Sequence, residues 1–229
     1  MNEKQDYVYK ERDSGGKELL SMLIYRPIAR FLLEKIFKHA NVTPNQISCM
    51  SLGLVAAGCL FFAFTAYPYF LIGFLFLHAG YAFDMLDGMY ARYKGLSSKY
   101  GKWFDPFVDV IKVVLLFSAL SYGSFTATNR PLAFFWGMLG MANAIMVFYI
   151  MNTREHVIKR PPFELKLQKN IYLGYEINFY WVLSLIGLFN LVYQGLVFLA
   201  TFGALAWIKL YLSFRQYYYK HKEEIESEQ

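Results

Sequence analysis

The sequence predicts an all-α integral membrane protein, with six transmembrane helices preceded by an amphipathic interfacial helix. Composition is the first reason. Of 229 residues, 56% are hydrophobic and 20% aromatic, and only 17% carry charge, which is poor in charge for a soluble domain of this size. Two long runs, 49–83 and 177–208, are the second, since neither contains Asp, Glu, Lys or Arg. The third is the placement of the basic residues between the apolar runs rather than within them.

The chain divides into a polar N-terminal segment (1–18), an interfacial helix (19–40), a six-helix membrane domain (41–214) and a charged tail (215–229). The opening segment has neither the short apolar core nor the small-residue cleavage site of a signal peptide, so it is expected to persist in the mature chain. "LLSMLIYRPIARFLLEKIFKHA" follows, with Leu20, Leu23, Ile24, Ile28, Phe31, Leu32 and Ile36 at helical spacing and Arg26, Arg30, Lys35 and Lys38 on other faces. That pattern suits a helix lying in the membrane interface, with Pro27 kinking it or seated in its first turn; docking on a soluble partner is the alternative. Pro44 then ends one helix and Thr43 can cap the next.

Roughly 20 apolar residues cross a hydrocarbon core as a helix. The first run therefore holds two spans, near 47–66 and 69–90, with a turn at Pro68 between them. Spans three and four are expected near 105–125 and 131–152. The last run needs a break, which Asn190 and Gly195 can supply. With the N-terminus inside, all 23 basic residues except Arg130 and Lys112 fall on cytoplasmic segments, as the positive-inside rule requires. The net charge of +6 is thereby accounted for by loops facing anionic lipid, and no nucleic-acid partner is expected. Cys49 and Cys59 would sit about 15 Å apart along a helix, too far to bridge.

Against this background "FDMLDGMYARYKGLSSKYGKWFDPFVDVIK" places Asp84, Asp87, Asp105 and Asp109 at the cytoplasmic ends of two neighbouring spans. Positions three and four apart share a helix face, so Asp84, Asp87, Gly88 and Ala91 line one side of span two, and Asp105 and Asp109 one side of span three. Four close carboxylates at this depth repel one another and are poorly solvated. Two divalent cations balance them, and an all-oxygen set favours Mg²⁺ or Mn²⁺ over zinc. Pairing with Arg92, Lys94, Lys99 and Lys102 is the bland alternative. Small residues at 88 and 91 leave the helix surface open, and Arg92 can reach an anion bound there. Metals, an arginine and an open face suggest a diphosphate clamp; a cation- or proton-coupled transporter is the alternative from another class.

The spacing Asp84-x2-Asp87-Gly88-x2-Ala91-Arg92-x8-Gly101-x3-Asp105-x3-Asp109 fixes eight residues within 26. It resembles, without departure, the signature of the CDP-alcohol phosphotransferase (CDP-alcohol phosphatidyltransferase) family, and "TPNQIS" resembles that family's segment ahead of the first span. The resemblance implies that Asp84, Asp87, Asp105 and Asp109 bind two metal ions, with Asp109 also acting as the base on the acceptor hydroxyl. It implies contacts to the CDP-alcohol from Asn45, Gln46, Ile47, Ser48, Gly88, Ala91, Arg92 and Ser98. The reaction implied is transfer of a substituted phosphate from a CDP-alcohol to a second alcohol, with release of CMP, by a homodimer facing the cytoplasm. CDP-diacylglycerol is the favoured donor, and CDP-inositol with an inositol phosphate acceptor the alternative. Lys112 and Arg154 are the candidate cations for a phosphorylated acceptor. His78, six residues before Asp84, is rotated off the aspartate face and reads as a helix contact. Gly101 is expected to allow a tight return of the loop 93–104 into span three.

Overall fold

A computed structural model describes residues 17–18, 20–64, 67–157, 165–168, 171–173 and 175–227. The polar segment ahead of Lys17 lies outside them. The first helical element, α1, is continuous but mixed: π-helical Ser21–Tyr25, α-helical Arg26–Leu32 and π-helical Leu33–Phe37. Pro27 lies inside this continuous helix, at the junction of its π-helical and α-helical parts, where it forgoes one backbone hydrogen bond. α1 carries two apolar stripes, one packed on the protein and one facing outward as an interfacial helix requires. Tyr25, Ala29, Leu33 and Phe37 are buried, whereas Leu23, Ile28, Phe31 and Ile36 face outward. A spacing of four drifts by about 40° per step around an α-helix, and the wider π turns wind that drift back, so the four stay in line. The outward residues form a second apolar surface suited to lipid.

The next helix, α2 (Pro44–Ala63), begins as expected. Thr43 caps it, its side chain accepting from the Gln46 N–H, while the Gln46 side chain accepts from the Thr43 N–H at 2.8 Å. This reciprocal pair is a capping box with Pro44 in the first turn. Then come α3 (Tyr67–Lys94) and α4 (Lys99–Thr128). The connection between α3 and α4 is shorter than expected, because α4 already starts at Lys99. Gly95 takes the left-handed conformation (φ 68°) that the turn needs. Gly101 instead lies in the first turn of α4, where a Cβ would approach Ser98 Oγ at 3.2 Å. Its role is close approach rather than an unusual backbone angle.

Two further long helices, α5 (Leu132–Val157) and α7 (Val192–Lys220), flank a short one, α6 (Tyr175–Leu188). The break between α6 and α7 falls at Asn190, whose φ is 54°. A last turn, α8 (Lys222–Ser227), makes part of the charged tail helical. Among the described residues five helices, α2 to α5 and α7, are long and apolar enough to cross a membrane. At the place expected of span five, α6 has 14 residues, about 21 Å of helix against a hydrocarbon core of about 30 Å. Three short strands not foreseen from the sequence, β1 (Lys17–Glu18), β2 (Leu165–Gln168) and β3 (Ile171–Leu173), form a sheet in the order β1-β3-β2.

Helices α2 and α3 are packed closely because Gly58 meets Gly73: a Cβ on Gly58 would stand 2.8 Å from the Gly73 carbonyl oxygen. One apolar core, with Val55, Phe62, Phe74, Leu77, Phe117 and Leu196, ties α2, α3, α4, α6 and α7 together. A second, with Leu33, Phe37, Ile47, Leu86 and Tyr90, seats α1 on α2 and α3. Polar bridges join the same elements: the Tyr25 hydroxyl pairs with His78 Nδ1 at 2.5 Å, and His78 Nε2 with Ser184 Oγ at 2.8 Å. His78 therefore connects α1, α3 and α6.

Candidate metal and diphosphate site

Asp84 and Asp87 lie in the second half of α3, and Asp105 and Asp109 in the first half of α4. The two helices are joined by a short turn and each packs on α2 rather than along the other, so their acidic faces meet across the gap beside that turn. Carboxylate oxygens of Asp84, Asp105 and Asp109 all lie within 4.8 Å of one another, and each of the three is half-buried. That separation suits oxygens sharing a hard divalent cation, and the donor set contains only oxygen. The residues therefore fit the Mg²⁺ or Mn²⁺ expected from the sequence.

The fourth carboxylate is held differently. Asp87 is only 7% exposed, and its Oδ2 accepts a hydrogen bond from Ser48 Oγ on α2. Asp84, Asp105 and Lys112 all act electrostatically on it, so it borders the cluster while being oriented from the neighbouring helix. Ser48, expected as a nucleotide contact, thus touches a proposed metal ligand. Only the long-range fold could reveal this, since 39 residues separate the pair.

Lys112 is the cation at the centre of the cluster. Its Nζ donates to Asp84 Oδ1 and, at 2.9 Å, to Asp109 Oδ1, and the residue is only 4% exposed. From the sequence Lys112 is a candidate for an acceptor phosphate; in the fold its ammonium meets two carboxylates. The i, i+3 spacing from Asp109 was the available signal for the pairing seen.

The remaining expected contacts divide by what their side chains are doing. Gly88 faces open space: a Cβ there would meet only Arg92 Nη1, at 3.5 Å. Helix packing, the ordinary reason for a glycine in a membrane helix, does not explain it, and Arg92 lies one turn along the same face. Ala91 and Arg92 are half-buried. Ser98 caps α4, its Oγ accepting from the Gly101 N–H at 2.9 Å, and its hydroxyl proton is left for another acceptor. Asn45 lies beside it, with Oδ1 3.5 Å from the position of a Cβ on Gly101. Gln46 is committed to the cap of α2. Ile47 is fully buried in the core beneath α1, so its side chain does not reach the site. Arg154 belongs to α5, but its side chain lies outside the described residues.

These helices resemble known structures. Phosphatidylinositol phosphate synthase of Mycobacterium tuberculosis, with CDP-DAG bound, superposes with a TM-score of 0.64 at 19% identity, covering 83% of this chain and 93% of that one. The same enzyme in complex with manganese and citrate gives a TM-score of 0.61 at 20% identity, covering 83% and 88%. Among curated sequences, a phosphatidylinositol phosphate synthase of Corynebacterium glutamicum is 30% identical over 113 residues, 49% of this chain and 48% of that protein. An uncharacterized protein of Aquifex aeolicus is 34% identical over 109 residues, 44% of this chain and 54% of its own length. The chain spans about half the length of the curated relatives it matches. The family model described as CDP-alcohol phosphatidyltransferase matches residues 41–214, from the cap of α2 into α7. This multi-pass integral membrane protein belongs to the CDP-alcohol phosphatidyltransferase family.

Proposed function

We propose that this chain transfers a substituted phosphate group from a CDP-alcohol to the hydroxyl of a second alcohol, with release of CMP, as a step of phospholipid biosynthesis. The carrying observation is the meeting of Asp84, Asp105 and Asp109 oxygens within 4.8 Å, beside the helix face left open at Gly88. CDP-diacylglycerol is the favoured donor. Helices α3 and α4 reach into lipid below the cluster, so acyl chains can remain in the bilayer while the nucleotide meets the acidic face. The names of the relatives support this choice: one solved structure carries CDP-DAG, and a curated relative is called a phosphatidylinositol phosphate synthase. An inositol phosphate is accordingly the first acceptor to test.

Asp84, Asp87, Asp105 and Asp109 would hold two divalent cations, Mg²⁺ or Mn²⁺; the manganese bound by a similar structure supports that assignment. When bound, such ions withdraw charge from the phosphate oxygens and from the departing CMP. Arg92 presents planar donors to the diphosphate, and Gly88 and Ala91 let it lie against the α3 backbone. Ser98 and Asn45, at the mouth of the α3–α4 turn, face the nucleotide. Asp109 takes the proton from the acceptor hydroxyl. The hydroxyl oxygen then attacks the phosphorus bearing the donor alcohol, a new P–O bond forms, and the bond to CMP breaks.

The site faces the cytosol in this reading, because the α3–α4 turn is bordered by Arg92, Lys94, Lys99 and Lys102. A homodimer is the expected assembly from the family resemblance. The test is direct. Purified protein is given Mg²⁺ or Mn²⁺, CDP-diacylglycerol or CDP-inositol, and a panel of alcohols including inositol phosphate, and CMP is measured. Metal-dependent CMP release with CDP-diacylglycerol is expected; none with any pair would favour a transporter.

A further inference from the structure

Lys112 places a positive charge where the site is built to receive one. It sits on the packed face of α4, with Val108 and Leu116 buried one turn to either side and itself only 4% exposed. An ammonium withdrawn from water in this way is unfavourable unless paired. Its partners are two of the three carboxylates whose oxygens cluster within 4.8 Å. The bonded oxygens, Asp84 Oδ1 and Asp109 Oδ1, therefore direct electron pairs at a proton donor. A divalent cation bound by these carboxylates competes for the same negative charge and is repelled by the same ammonium.

We infer that Lys112 is a built-in counter-cation of this centre: its ammonium holds Asp84 and Asp109 together while metal is absent, and leaves them when a divalent ion binds. The inference rests on the metal-site reading above and adds to it that the chain itself sets how tightly metal is held. Two consequences follow from charge alone. Metal-free protein keeps its acidic helix ends in contact instead of splaying by mutual repulsion. Metal binds weakly until an anionic ligand arrives, because a diphosphate's negative charge offsets the repulsion from Lys112. Metal and nucleotide then strengthen each other's binding by the same factor.

The experiment is a Mn²⁺ titration of detergent-purified, metal-stripped protein, with free Mn²⁺ read by electron paramagnetic resonance, with and without CDP. Wild type is compared with Lys112→Met, which keeps the length of the stem, and Lys112→Gln, which keeps a hydrogen-bond donor. Both variants are expected to bind Mn²⁺ about tenfold more tightly than wild type, given the strength of charge interactions at this separation, and to gain less from CDP. Their metal-free thermal midpoints should fall, and Mn²⁺ should restore them. Equal or weaker Mn²⁺ affinity in the folded variants overturns the proposal, as does loss of folding that Mn²⁺ does not rescue. Mn²⁺ binding by wild type tests the centre, whereas the ratio between variant and wild type tests Lys112. If neither binds, both ideas fail together.

Discussion

Ser48 on α2 donates its hydroxyl proton to Asp87 on α3, and both residues are buried at the contact. Asp87 is thereby fixed from outside its own helix. Ser48→Ala should leave the carboxylate lacking a donor, at a cost of about 1–3 kcal/mol. Both the thermal midpoint and Mn²⁺ affinity should drop, with CMP release falling in parallel. Wild-type metal affinity in the alanine variant would show that Asp87 needs no such support.

Asp109→Asn keeps the shape of the side chain while removing its capacity as a base. Turnover should fall by about 10²-fold or more, in line with general-base catalysis. Binding of the CDP-alcohol, followed by equilibrium dialysis, should fall far less than turnover, because the asparagine keeps one oxygen able to ligate a metal and Asp84, Asp87 and Asp105 remain. Undiminished turnover removes Asp109 from the role of base.

Two glycines on α2 and α3 should respond in opposite ways to the same change. A Cβ on Gly58 meets the Gly73 backbone at 2.8 Å, whereas one on Gly88 meets only the end of Arg92. Gly58→Ala should therefore be destabilising by about 1–3 kcal/mol, as overpacking generally is, with a lowered thermal midpoint. Gly88→Val should fold like wild type and yet lose CDP-alcohol binding. A folded Gly88→Val protein that keeps full affinity would mean the open face is not where the ligand lies.

Tyr25, His78 and Ser184 form a polar chain linking α1, α3 and α6. Tyr25→Phe removes one bond and leaves the imidazole with one fewer partner. A loss of about 1–3 kcal/mol is expected, the usual penalty for an unpaired buried polar group. Melting in detergent measures it, and KM for the CDP-alcohol should stay at the wild-type value. A change in KM with no change in melting would move this chain of residues from scaffold to site.

How far the sequence reached can be judged residue by residue. The aspartates at 84 and 87, and at 105 and 109, were readable because helix periodicity alone puts three- and four-spaced positions on one face. Thr43 and Pro44 announced the start of α2, while the part Gln46 plays in the cap came only with the structure. The break at Asn190 was visible as a polar residue in an apolar run. In α1 the outward apolar stripe of Leu23, Ile28, Phe31 and Ile36 was legible, whereas the packed stripe of Tyr25, Ala29, Leu33 and Phe37 is selected only by contact with α3. Ile47 looked like a neighbour of the nucleotide, and the fold buries it under α1.

The sequence by itself determined that this chain is a helical membrane protein whose acidic residues belong to adjoining helix ends, and the reason is local. Transfer of apolar side chains out of water and the 3.6-residue turn act over a few neighbours at a time. Only the tertiary structure decided that Lys112 turns its ammonium into the carboxylates, that Ser48 holds Asp87, and that Gly88 is open where Gly58 is closed. Those outcomes depend on where one helix crosses another, and helix crossings are set by the packing of surfaces far apart in sequence.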